Sequence, residues 1–126
     1  MLQGIKGFVG VAVGNMMPMK GEPAPQPQPF ATQIAVFPVL NRQDIARHDR
    51  IDGLYTVAFS PIATTYANAK GVFELALPVG SYSVLAKKDG YWYGNAFNEM
   101  HQLQVVTIVA RQTTTVQIVI STDAVY

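Results

Sequence analysis

Hydrophobic and polar positions alternate with a period of two along most of this chain, and the alternating runs are separated by glycine, proline and asparagine. That period belongs to strands with one face buried. Ile5 to Val13 reads as the first strand, and Thr32 to Val39 as the second. Between them, Gly14 to Pro29 holds five of the eight prolines. Proline fixes φ and lacks the amide donor that a ladder needs, so this stretch is expected as an extended, exposed connection. Asn41 to Asp52 carries most of the local charge and is expected as a loop with one helical turn. Leu54 to Phe59 and Ala63 to Tyr66 read as one strand broken at Pro61, at a sheet edge where proline is tolerated.

The second half is patterned more sharply. After a turn at Asn68 to Gly71, Phe73, Leu75 and Leu77 point to one side and Val72, Glu74 and Ala76 to the other, with the first set expected in the core. Pro78-Val79-Gly80 reads as a tight reversal, with Ser81 to Lys87 returning as the antiparallel hairpin partner. Asp89-Gly90 ends that strand. The aromatic run Tyr91-Trp92-Tyr93 with Phe97 follows, and then strands at Gln104 to Ala110 and Thr114 to Ser121. About seven short strands without a long amphipathic helix predict one all-β domain over residues 1–126, a two-layer sandwich of antiparallel sheets.

Composition changes this picture little. A chain of 126 residues can bury roughly two-thirds of the surface its unfolded form exposes. The nine basic and eight acidic residues are scattered, giving a net charge of +1, which argues against a nucleic-acid partner. Cysteine is absent, so disulfides, thiolate nucleophiles and Cys-based zinc sites are excluded. No apolar run reaches the roughly 20 residues of a transmembrane helix. Met1-Leu2-Gln3 leads almost directly into a strand, and the expectation is a mature domain whose leader, with or without a lipid anchor, has been removed.

Gly4, Gly7 and Val9, then Gly71-Val72-Phe73-Glu74-Leu75 and Leu77-Pro78-Val79-Gly80-Ser81-Tyr82-Ser83-Val84, resemble the pattern of carboxypeptidase regulatory-like domains. The resemblance implies a seven-stranded antiparallel Greek-key sandwich of the transthyretin (prealbumin) kind. Gly14-Asn15-Met16-Met17-Pro18, Tyr93-Gly94-Asn95-Ala96-Phe97 and the terminal Ala124-Val125-Tyr126 are similar to a bacterial envelope subset of these domains. What that implies is a secreted, extracytoplasmic accessory module, in the periplasm or at the cell surface, without catalytic activity. Hydroxyisourate hydrolases share the sandwich but end in Tyr-Arg-Gly-Ser; this chain ends Asp123-Ala124-Val125-Tyr126, and the departure sets that activity aside.

Candidate chemistry is sparse. His48 and His101 are the two histidines, and neither lies in a nucleophile or metal motif, so both read as loop residues and no catalytic residue is assigned. Asp44, Asp49 and Asp52, with Asn41, do not have the spacing of a calcium loop, and no metal or cofactor is expected. Lys6, Glu74 and Asp123 have the residue types of an isopeptide-forming set but read as surface charges. Contact with a protein or glycan partner is assigned instead to Trp92 and Tyr91, with Met16, Met17 and Met19 as a soft surface beside the prolines. Alternation puts Tyr91 and Tyr93 on one side and Trp92 on the other. Trp92 is therefore the ring expected to be exposed, with Tyr93 and Phe97 in the core and Asn95 bonding backbone in the turn. The function expected is a structural or protein-interaction module; the alternative is a carbohydrate-binding domain using Tyr91 to Tyr93.

Overall fold

A computed structural model describes residues 3–12, 14–15, 27–121 and 124–125, the backbone alone at 14–15 and 124–125. The strands are β1 (Gly4–Val11), β2 (Gly14–Asn15), β3 (Gln28–Pro29), β4 (Gln33–Pro38), β5 (Ile45–Arg47), β6 (Leu54–Val57) and β7 (Ala63–Tyr66). They continue with β8 (Val72–Ala76), β9 (Gly80–Lys88), β10 (Tyr91–Tyr93), β11 (Val105–Ile108), β12 (Thr113–Ile120) and β13 (Ala124–Val125). One 3₁₀ turn, Arg42–Asp44, precedes β5, where the sequence predicts a helical turn.

Two sheets form a sandwich-like pair. In the smaller one, β12 and β8 flank β1, and β3 continues beyond β8 along the same side of β1. The larger runs β5-β6-β10-β9-β4-β7, with β11 beside β10 on the same side of β9. Most pairings are antiparallel, as expected. The long β1–β12 pair and the short β2–β13 pair are parallel, which the sequence reading did not anticipate.

The core between the sheets follows the predicted alternation. Ile5 and Val9 of β1, Phe73 of β8, and Val116, Ile118 and Ile120 of β12 meet Ile34, Val36, Val84, Ala86 and Tyr93 of the larger sheet. Lys6, Glu74 and Gln117 alternate with them and are exposed. Each fully buried Val, Leu or Ile contributes about 1.5–3 kcal/mol relative to exposure.

Two predicted connections are corrected. Val72 to Leu77 and Ser81 to Lys87 do not form a hairpin: β8 pairs with β1 in the smaller sheet, whereas β9 pairs with β4, β10 and β11 in the larger. The Pro78-Val79-Gly80 reversal carries the chain from one layer to the other. Gly80 adopts φ 150°, and the Tyr82 hydroxyl donates to the Pro78 carbonyl at 2.9 Å, fixing the corner. The hairpin lies one strand later, at Asp89-Gly90. Both residues have positive φ (53° and 83°), as a two-residue type I′ turn requires, and they join β9 to β10 in register, Tyr91 opposite Lys88. Leu54 to Tyr66 likewise is not one interrupted strand. β6 lies between β5 and β10, and β7 pairs with β4 at the opposite edge of the same sheet. The edge position expected near Pro61 holds for β7.

The larger sheet is buried on both faces at its centre. Ile34 to Phe37 of β4 and Ser83 to Ala86 of β9 are all buried, the continuous pattern of a strand covered on two sides. Its outer face carries a second cluster of Ala35, Phe37, Leu40, Tyr55, Leu85 and Leu103. The cover comes from residues 39–44 and 94–104, where Leu103 forms bridges with both Leu40 and Phe97. Ser83, fully buried, ties both covering segments to the sheet: its Oγ accepts from the Leu40 amide at 2.9 Å and donates to the Leu103 carbonyl at 2.6 Å.

Candidate functional site

The aromatic run that the sequence singles out is divided between the two clusters. Tyr93 is buried in the inter-sheet core, 2% exposed, with its hydroxyl 3.1 Å from Ser121 Oγ. Tyr91 is half-buried on the same side, edge-on to His48 at 4.6 Å between centroids. Trp92 points the other way, as alternation dictates, but it is half-buried rather than exposed. Its ring meets Phe37 edge-to-face at 5.5 Å, and Lys87 Nζ lies 5.6 Å from its centroid. The three rings therefore share no common platform. Met16, Met17 and Met19 lie outside the described residues.

Residues that the sequence reading passed over assemble beside Trp92. Strand register sets Arg47 opposite Tyr55, Tyr55 opposite Trp92 and Trp92 opposite Lys87, so two cations bracket two aromatic rings across β5, β6, β10 and β9. Phe97, from the covering segment, meets Tyr55 edge-to-face at 6.3 Å, and the Arg42 guanidinium lies 5.1 Å from the Phe97 centroid. Arg42, Ile45, Arg47, Tyr55 and Phe97 line a shallow depression. Arg42 and Arg47 belong to a segment read from sequence as a solvated loop. Only the pairing of β5 with β6 brings Arg47 beside Tyr55.

Burial pushes the Tyr55 phenol above its ordinary pKa of 10.0, while Arg47 and Arg42 oppose that rise. The folded protein thus holds this proton more tightly than the unfolded chain does. The stability linked to it is complete below pH 10 and is lost as pH rises through the raised folded value. Urea midpoints measured across about pH 9 to 11 should fall more steeply for the native protein than for Tyr55→Phe. Equal slopes would contradict the shift.

The remaining candidates have structural partners. His48 Nδ1 accepts from the amides of Arg50 (3.0 Å) and Ile51 (3.2 Å), so this ring organises the turn before β6. His101 is exposed, with φ 60°. Asp44 Oδ2 accepts from the Asn41 amide at 2.8 Å, Asp52 pairs with Arg47 at 3.1 Å, and Asp49 is exposed. Among the described residues no three His, Asp or Glu side chains converge as a metal site. Lys6 and Glu74 stand opposite each other in register, both exposed, and Asp123 lies outside the described residues. The turn after Gly94 is held by a different residue from the one expected. Gln104 Oε1, rather than the Asn95 side chain, accepts from the Asn95 and Ala96 amides, and Asn98 Oδ1 caps Met100 and Gln102.

A second surface lies at the other edge of the larger sheet. β7 pairs on one side with β4, and on its other side pairs with no strand among the described residues. The Ala67 amide donates to the Thr32 carbonyl at 2.9 Å, in register with the β4–β7 ladder. Antiparallel alternation then directs Thr65 towards β4 and leaves the amides and carbonyls of Thr64 and Tyr66 at the open edge. Large apolar side chains crowd the same short segment: Phe59 is 48% exposed, Ile62 54% and Tyr66 70%.

No family model, curated protein or solved structure matches this chain.

Proposed function

We propose that this domain is a non-catalytic protein-interaction module of a bacterial envelope protein, and that the open edge of β7 is its principal contact. The observation that carries the reading is the coincidence of unpaired edge backbone with Phe59, Ile62 and Tyr66 on one segment. An apolar open edge invites strand addition unless something covers it, because a partner strand satisfies its backbone groups while pockets or grooves receive alternate side chains. Tyr91, Trp92, Tyr93 and Phe97 are drawn into the two clusters, which supports β7 over Tyr91 and Trp92 as the contact.

The finer fold and location belong to the same proposal. The glycine and proline pattern of β1 and of Gly71 to Val84 supports a prealbumin-like Greek key of the carboxypeptidase regulatory-like kind. The envelope-like motifs around Asn15, Asn95 and Ala124 support an extracytoplasmic setting, with Met16, Met17 and Met19 as a secondary contact.

A photo-crosslinking amino acid placed at Tyr66 in the native cell tests the contact. One discrete adduct is expected at this position and none at Thr115, which is exposed on the smaller sheet. No adduct at Tyr66, or the same adducts at both positions, would overturn the reading.

A further inference from the structure

The depression on the outer face of the larger sheet has a volume of about 310 Å³, at the small end of the range for ligand sites. Two of its polar groups lack protein acceptors. Arg42 has the Phe97 face as its partner, and no carboxylate or carbonyl among the described residues accepts from its guanidinium. Tyr55 is 8% exposed, and its hydroxyl has no hydrogen-bond partner among the described residues. Tyr55 lines the depression, so its hydroxyl is left to solvent or to a ligand there. Arg47 donates to Asp52 through Nη1 at 3.1 Å, in an exposed ion pair of small worth.

Arg42 and Tyr55 line the same depression, where a guanidinium fork and a phenolic hydroxyl can both donate to a planar oxyanion, and a carboxylate accepts two parallel bonds from arginine. Ile45 and Phe97 give the same depression apolar walls. We infer that this depression binds the carboxylate of a small ring-sized ligand such as a sugar acid, with Arg42 and Tyr55 donating to its oxygens. With Arg47 engaged by Asp52, Arg42 is the cation of this depression that has no acidic partner among the described residues, and one free guanidinium matches a singly charged carboxylate better than phosphate.

NMR titration of the isotope-labelled chain with D-glucuronate tests this, with glutarate, glucose and inorganic phosphate in parallel. Glucuronate should shift the resonances of Arg42, Tyr55 and Phe97, and glucose should not. A response to glutarate as strong as that to glucuronate would overturn the preference for a ring-sized ligand, and tighter binding of phosphate would overturn the carboxylate assignment. Arg42→Ala, Arg42→Lys and Tyr55→Phe should each weaken glucuronate about tenfold or more, the loss expected for one charge-assisted hydrogen bond. Unchanged affinity in these variants would overturn the site. Tyr55→Phe also separates ligand binding from folding. Removing an unpartnered hydroxyl should leave the ligand-free protein at least as stable at neutral pH, whereas a clear loss would assign the hydroxyl a structural role instead.

Discussion

Replacing Gly7 with valine is expected to abolish folding, and Gly7→Ala to destabilise by about 2–3 kcal/mol. Gly7 sits mid-strand in β1, opposite Val116 of β12 on one side and Phe73 of β8 on the other. A Cβ there would overlap the Val116 carbonyl oxygen and come within 2.8 Å of the Phe73 ring. The obstruction on the β12 side is backbone, which cannot rotate away as a side-chain tip can. Relief therefore requires β1 and β12 to separate, and their parallel ladder runs from Gly4–Thr113 to Val11–Ile120. A domain of this size has roughly 5–15 kcal/mol of stability in all; the local parting that alanine's single Cβ forces takes a large fraction of it, and the wider parting that valine's two further methyls force exceeds it. Urea denaturation of Gly7→Ala, with circular dichroism of Gly7→Val, provides the check. A native-like Gly7→Val would show that β1 and β12 are not packed as described.

Phe37→Ala is expected to cost about 3–5 kcal/mol, the range for deleting a fully buried aromatic ring. Phe37 is 0% exposed although it lies on the outer face of the larger sheet, because residues 39–44 and 94–104 cover it. Were that face solvated, the substitution would cost well under 1 kcal/mol. The denaturation midpoint thus reads out directly whether the second cluster is a true core. Trp92 supplies a local signal, since its ring packs edge-to-face on Phe37 and its fluorescence should shift to the red when that support is removed.

Much of the fold was legible because period-two alternation is a local property. Ile5 and Val9, Phe73, and Val116 to Ile120 declare their buried faces without reference to their partners. Partner choice is less local. Pro78-Val79-Gly80 and Asp89-Gly90 both signal a reversal, yet a reversal between layers and a hairpin within one sheet place similar demands on the sequence. The positive φ that Asp89 and Gly90 share marks the hairpin, and Asp-Gly is the stronger of the two hairpin signals. Pro78, which lacks an amide donor, suits a corner. The β1–β12 pairing joins the two ends of the chain and leaves no local trace. Of the candidate sites, alternation correctly separated Trp92 from Tyr91 and Tyr93. It could not foresee that the 94–104 segment would fold back over Phe37 and half-bury Trp92, nor that Arg47 would meet Tyr55 across a strand pair formed by a charged segment.

Amide hydrogen exchange along β7 in the isolated domain tests the open edge, on which the interaction reading stands. Protection at Thr65 and Ala67, whose amides are directed to β4, with fast exchange at Thr64 and Tyr66, is the expected pattern. Equal protection at all four positions would show that another strand or segment already occupies the β7 edge, and would contradict its availability to a partner.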